Sequence, residues 1–216
     1  MRRESQVQES WKPELAVDRR SNKAMIVVCH PAPDSFNHAL ANEIQRAWSD
    51  AGFDVRLRDL YVEGFDPIIT AAEARGAGSL DPVVTEHIQE LLSSELLALI
   101  HPNCWGAPPA MMKGWIDRVF APQAAYTFPK GEDTGDEPIG LLATRAALVL
   151  NTGNTLPDRE REHFGDPLDR MWRQCILAYC GVRKVERRLF GVVATSTAAD
   201  RDAWLAEARQ LAHDLC

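Results

Sequence analysis

The chain has 216 residues, 45% hydrophobic and 25% charged, with 13 Gly and 13 Pro, a globular composition that points to one domain with a full core. A formal net charge of −7 and a pI near 5.4 leave no global positive field for nucleic acid or an anionic membrane. No apolar run approaches the roughly 20 residues that span a bilayer. The five cysteines, Cys29, Cys104, Cys175, Cys180 and Cys216, are odd in number and form no CxxC pair, which argues against a disulfide scaffold or zinc ribbon and for a reduced, cytoplasmic protein.

Met1 to Lys23 mixes six basic and four acidic residues with few apolar anchors and reads as a mobile polar extension. It lacks the apolar segment of a secretory signal and is too acidic for a mitochondrial transit peptide. From Ala24 to Cys29 the chain is continuously apolar, the pattern of a strand buried on both faces. Leu40, Ile44, Ala47, Trp48 and Ala51 recur at helical spacing and stop at Gly52. Phe53, Val55 and Leu57 alternate with polar residues, as on a half-exposed edge strand. Asp81-Pro82 opens a helix with Val84, Ile88, Leu91 and Leu92 on one face, and Leu96 to Ile100 is the next buried strand.

A helix from Pro109 carries Met112, Ile116, Val119 and Phe120 inward, and Ala146 to Leu150 is a fourth strand. Leu168, Met171, Trp172, Cys175, Ile176 and Tyr179 form an amphipathic stripe ending at Gly181, with Cys175 and Cys180 expected as core thiols. Asp158 to Glu162 reads as a solvated mobile loop, and Arg183, Lys184, Arg187 and Arg188 as a solvated strand edge rather than a phosphate site. Val185 to Val193 is the fifth strand, and Thr197, with Asp200 three residues on, caps a last helix carrying Trp204, Ala208 and Leu211. Five strands alternating with helices imply an open α/β sandwich with a parallel sheet.

Ligands of such sheets lie beyond the carboxyl ends of the strands, near the switch in strand order. After the first strand comes His30-Pro31-Ala32-Pro33-Asp34-Ser35-Phe36-Asn37, with neither GxGxxG nor a Walker A loop. Ser35 and Asn37 at a helix start offer either phosphate donors or plain N-caps. After the third strand, His101-Pro102-Asn103-Cys104-Trp105-Gly106 sets a flat aromatic beside exposed backbone donors, which suits a planar heterocycle. After the fourth comes Asn151-Thr152-Gly153-Asn154-Thr155, small and polar enough to bond a ring edge. The six histidines show no metal-binding spacing, so no metal is expected.

HPxxxSFN at His30 to Asn37 and PxxWxxxPAxxKGWxDRVF at Pro102 to Phe120 resemble the flavodoxin-like NAD(P)H:quinone oxidoreductase family. That family includes DT-diaphorase and the quinone reductases of potassium efflux systems. Asp59-Leu60-Tyr61, Phe65-Asp66-Pro67-Ile68-Ile69 and Ala125-Tyr126-Thr127-Phe128 extend the likeness across about Met25 to Trp204. It implies a flavodoxin-like three-layer sandwich whose five-stranded parallel sheet has the order 2-1-3-4-5. It also implies a bound flavin, with His30, Ser35, Phe36 and Asn37 on its phosphate side. Pro102, Asn103, Cys104, Trp105 and Gly106 would lie along the ring, and Thr152, Gly153 and Asn154 at its polar edge.

The family is usually dimeric, and Tyr126, with Phe128 beside it, matches a residue that closes the partner's site and meets substrate. Its better-known members place a Tyr and a His after the fourth strand. Asn151 to Asp166 holds no Tyr, and His163 stands one residue off the His position, so His163 is the single catalytic candidate there. The reaction implied is ping-pong hydride transfer from NAD(P)H, through flavin, to a quinone-like acceptor. The chain ends soon after its last helix, which tilts the cofactor to FMN over FAD. A different function class is a flavin-bearing regulatory subunit of a partner such as a potassium efflux system, with little turnover of its own.

Overall fold

The computed structural model describes residues 22–129, 135 and 137–216. The mobile extension expected over Met1–Lys23 therefore falls almost wholly outside the described residues, and Lys23 already opens the first strand. The strands are β1 (Lys23–Val28), β2 (Asp54–Asp59), β3 (Leu96–Pro102), the short β4 (Tyr126–Thr127) and β5 (Ile139–Gly140), β6 (Ala146–Gly153) and β7 (Lys184–Gly191). Among the helices, α1 is Phe36–Asp50, α2 Pro82–Ser93 and α3 Ala110–Val119. They are followed by α4 (Pro157–Phe164), α5 (Pro167–Arg170) and α6 (Ala198–His213).

The main sheet is parallel throughout, in the order β2-β1-β3-β6-β7, the expected 2-1-3-4-5 once the antiparallel β4-β5 pair is set apart. Period-two alternation along each strand splits the core in two. Met25, Val27, Leu97, Leu99, Ala147 and Val149 face the side covered by α2 and α3. Ala24, Ile26, Val28, Leu96, Ala98, Ile100, Leu148 and Leu150 face α1 and α6. Both faces are dry, which is why these strands read as unbroken apolar runs. Trp48 of α1 is fully buried and donates its indole N–H to the carbonyl oxygen of Ala212 in α6 at 3.1 Å, fixing the two helices against each other. Across the other layer, the buried Arg118 of α3 binds the Asp66 carbonyl oxygen at 2.7 Å and the Glu73 carboxylate at 2.9 Å. That pairing ties down the long connection before α2.

Helix ends follow local chemistry. Ser35 caps α1, Asp81 caps α2 ahead of Pro82, and Thr197 with Asp200 forms a reciprocal capping box on α6. Four expectations need correction. His101 and Pro102 belong to β3 rather than to the loop after it, because their register with Asn151 and Thr152 continues the β3–β6 ladder. Asp158 to Glu162 is not a loop but lies in α4, with Pro157 at its first turn and Gly165 in the left-handed conformation that ends it (φ +71°).

The stripe from Leu168 to Tyr179 is not one α-helix: after α5, residues Met171–Leu177 take π-helical winding. Wider winding rotates successive side chains by less than the 100° of an α-helix, and Cys175 ends up exposed while Trp172, Leu177 and Cys180 stay buried. Arg187 is also no solvated edge residue. Its side chain is 4% exposed, held inside by Asn151 and Asp166.

Candidate active site

β1, β3 and β6 are neighbours, so the loops that leave their carboxyl ends stand side by side. The middle loop is shaped by a tight turn. Cys104 and Ala107 exchange backbone hydrogen bonds at 2.9 and 3.1 Å, and the two residues between them, Trp105 and Gly106, have φ of +59° and +74°. Positive φ at both central positions is the type I′ arrangement, natural for glycine and strained for tryptophan. Asn103 supports the turn, its Oδ1 accepting the Gly106 N–H at 2.8 Å while its own N–H bonds the Thr152 carbonyl oxygen at 2.7 Å. The Trp105 side chain is fully exposed. A large indole held out in water on a strained turn is a poor arrangement for stability alone, and strain of this kind gathers at ligand sites.

Beneath the indole lies a cavity of about 390 Å³, within the range of small-molecule sites. Asn103, Trp105 and Gly106 line it from one loop, Gly153, Asn154 and Thr155 from the next, and Glu160 and Phe164 from α4. Packing around the turn is close. A Cβ on Gly106 would come within 2.7 Å of Pro167 Cγ, and one on Gly191 within 2.8 Å of the Thr155 carbonyl oxygen. Asn154 is oriented by accepting the Ala194 N–H at 2.9 Å. A flat wall, backbone close enough for ring-edge contacts and amide side chains suit a planar heterocycle with carbonyl and imino edges.

A flavodoxin-like fold model matches residues 22–213. An uncharacterized NAD(P)H oxidoreductase of Haemophilus influenzae is 32% identical over 77% of this chain and 82% of its own length. NAD(P)H dehydrogenase [quinone] 1 of Cavia porcellus is 27% identical over 77% and 67% of the two chains. The chain belongs to the flavodoxin-like NAD(P)H:quinone oxidoreductase family. Among solved structures, the NAD(P)H:quinone oxidoreductase from Methanothermobacter marburgensis superposes on this flavodoxin-like chain with a TM-score of 0.76, 26% identity and coverage of 90% and 97%.

The residues expected from this family do not all meet. Asn103, Trp105, Gly106, Gly153 and Asn154 share the cavity, with Cys104 half-buried in the turn behind them. Asn37 and Thr152 are buried and bonded to each other, Nδ2 to Oγ1 at 3.0 Å, which pins the start of α1 to the end of β6. Ser35 accepts the His38 N–H and sits 2.7 Å from His38 Nδ1, whose Nε2 is 2.8 Å from Asp59. His30 Nδ1 accepts the Ala32 N–H at 3.1 Å. Phe36 packs edge-on against Phe190, and tilted against Trp204, at the start of α1.

His163 is exposed on α4, and the cavity lining comes instead from Glu160 and Phe164 of that helix. Tyr126 lies elsewhere in the chain, in a cavity of about 350 Å³ with Ile176 and Tyr179, and Phe128 stacks edge-on against it.

Two site residues escape the sequence reading. Glu160 is 6% exposed, a carboxylate at the cavity wall within what reads as a charge run. The spacing Glu160, Phe164 after Pro157 carries the signal, since i, i+4 residues share a helix face. His101 is fully buried behind the turn, its Nε2 accepting from Trp172 at 3.0 Å and from Asn151 Nδ2 at 3.1 Å. Burial pushes its pKa down to about 4, and the Arg187 charge acts in the same direction, so the ring is neutral at physiological pH.

Proposed function

We propose that this protein is a flavin-dependent NAD(P)H:quinone oxidoreductase. The observation that carries the reading is the Trp105–Gly106 turn, an exposed indole on left-handed backbone over a cavity walled by the adjacent strand end. The relatives' names, NAD(P)H oxidoreductase and NAD(P)H dehydrogenase [quinone], fit that chemistry.

A bound flavin supplies two-electron acceptance and return as hydride, and the protein supplies place and field. Trp105 would form one wall of the ring site. Gly106 and Gly153 let backbone approach the ring, and the Asn103 and Asn154 amides fix the loops that present it. Backbone N–H groups of these loops would stabilise negative charge at the ring's carbonyl edge. Ser35, which caps α1, and His30 in the loop before it would meet the phosphate end, where a helix N-terminus favours an anion. The Asn37–Thr152 pair serves this site by holding the two loops in register.

FMN is the form bound by a Bacillus anthracis azoreductase that shares the fold, and it is the form proposed here. Tyr126 and Phe128, placed away from the Trp105 cavity of their own chain, suit a dimer in which each subunit covers the other's acceptor. Among the described residues no helix is long and apolar enough to cross a membrane, and the five cysteines are all free, as in a reducing cytoplasm.

The test is turnover. Purified protein supplied with flavin should oxidise NADH or NADPH one-for-one with reduction of a soluble benzoquinone. Oxidation that fails to depend on both flavin and quinone would refute the reading.

A further inference from the structure

A second cavity, of about 490 Å³, adjoins the Trp105 cavity, with α4 between them: Glu160 and Phe164 line one, Pro157 and Arg161 the other. Five arginines line this second space, namely Arg161 of α4, Arg170 of α5, Arg173 of the π-helical turn, and Arg187 and Arg188 of β7. In a chain of net charge −7, that concentration of guanidinium groups is out of keeping with the rest of the molecule. The acids in the lining are Asp166 and Asp169, and both are engaged, Asp166 with Arg187 at 2.7 Å and Asp169 with Arg173 at 2.8 Å.

Arg161 and Arg188 make pairs outside the lining, with Asp158 at 2.6 Å and Glu207 at 2.6 Å, exposed pairs of the kind that contribute little. Arg170 has no ion-pair partner among the described residues.

Arg187 separates this cavity from an ordinary basic surface. Its side chain is 4% exposed, and its Nε and Nη1 are committed to Asn151 at 2.8 Å and Asp166 at 2.7 Å. Its Nη2 is buried with no hydrogen-bond partner among the described residues. A buried donor without a partner is destabilising, more so when charged, unless something accepts from it. The group is also rigid, because Asn151 is itself clamped by His101. A fixed guanidinium with unspent donors, ringed by four more on three other segments and its own strand, is the donor set of a phosphate site. Arginine forks match phosphate oxygens in pairs, and several are needed to balance a dianion.

We propose that this cavity binds a phosphate group. Two sources share that chemistry: the 2′-phosphate of NADPH, with the rest of the dinucleotide serving the adjoining cavity, or a free phosphate ion. The first rests on the NAD(P)H reading above, and the second does not.

The test is calorimetric titration of the full-length protein with adenosine 2′,5′-bisphosphate, adenosine 5′-monophosphate and inorganic phosphate. It is run alongside kcat/KM for NADPH and NADH. The variant is Arg161→Gln/Arg170→Gln, whose solvent-facing side chains can be replaced without unfolding the chain, with melting temperature as the control. If NADPH is the source, the bisphosphate binds at least tenfold tighter than the monophosphate and kcat/KM favours NADPH by a similar factor. Both ratios then fall toward one in the variant. If phosphate itself is the ligand, inorganic phosphate binds at submillimolar concentration, the variant weakens it at least tenfold, and the two nucleotides are used equally.

If neither the bisphosphate nor inorganic phosphate binds, or binding is unchanged in a folded variant, the proposal is overturned. The titrations need no turnover. A protein that binds phosphate but oxidises neither nucleotide refutes the oxidoreductase reading and leaves this one standing.

Discussion

The indole N–H of Trp172 donates to Nε2 of His101 at 3.0 Å, and both side chains are fully buried. His101 Nδ1 lies 2.8 Å from the Pro102 carbonyl oxygen, so the ring carries its proton there and leaves Nε2 to accept. The pair joins the π-helical turn to β3 immediately behind the Trp105 loop. Trp172→Ala should therefore act on stability: loss of a buried Trp costs about 3–5 kcal/mol, and it leaves the His101 acceptor with Asn151 alone. Thermal denaturation should show a drop of many degrees, while any protein that remains folded keeps most of its flavin affinity.

Trp105→Ala should do the opposite. The side chain is exposed and buries nothing, so the melting temperature should move by no more than a few degrees. Flavin affinity, read by quenching of flavin fluorescence, should fall at least tenfold. A variant that melts early yet binds flavin normally would mean that Trp105 is a packing residue.

His101 also predicts a pH dependence. Its pKa falls from 6.5 unfolded to about 4 folded because burial penalises the charged ring. Between these values the unfolded chain holds a proton that the folded chain lacks, so stability is full above about pH 6.5 and declines as the pH falls toward 4. At about 1.4 kcal/mol per pH unit the loss is on the order of 3 kcal/mol. Denaturant unfolding of wild type and His101→Gln at several pH values should show a shallower decline in the variant. Parallel curves would place that titration elsewhere.

Much of this was legible in the sequence where a signal is local. Strands β1, β3 and β6 are dry on both faces, so their residues form unbroken apolar runs, and the Thr197–Asp200 box is four residues long. The Trp105 turn was legible as a loop with an aromatic that a core would not place there. What stayed hidden depends on distant partners or on winding. Arg187 is buried by Asn151 and Asp166, which lie 36 and 21 residues away, and nothing in Arg183 to Arg188 announces them. Cys175 has helical spacing from Trp172 but sits on π-wound backbone, which turns it out to solvent.

Gly106→Ala should be costly at one point in space. The new Cβ meets Pro167 Cγ at 2.7 Å, on backbone with φ +74° that side-chain-bearing residues rarely adopt. A loss of about 1–3 kcal/mol is expected, together with weaker flavin binding because the turn beneath Trp105 must shift. Alanine accepted without change in either quantity would contradict the turn's role.

His163 is exposed, one residue and so about 100° around α4 from the cavity-facing Phe164. Hydride delivery needs no proton from the protein, and acceptor oxygens in an open site can take theirs from water. His163→Ala should lower turnover less than tenfold, below the 10²–10⁴-fold typical of a positioned general acid. A hundredfold loss at unchanged flavin content would make His163 catalytic.

If the loops ending β1, β3 and β6 hold a flavin, one measurement shows it without any assay of turnover. Protein saturated with flavin, freed of excess and then denatured, should release a yellow cofactor with the two-banded visible spectrum of oxidised flavin and the mass of FMN, close to one per chain. Colourless protein that neither releases flavin nor quenches the fluorescence of added FMN or FAD at micromolar concentration would contradict the account.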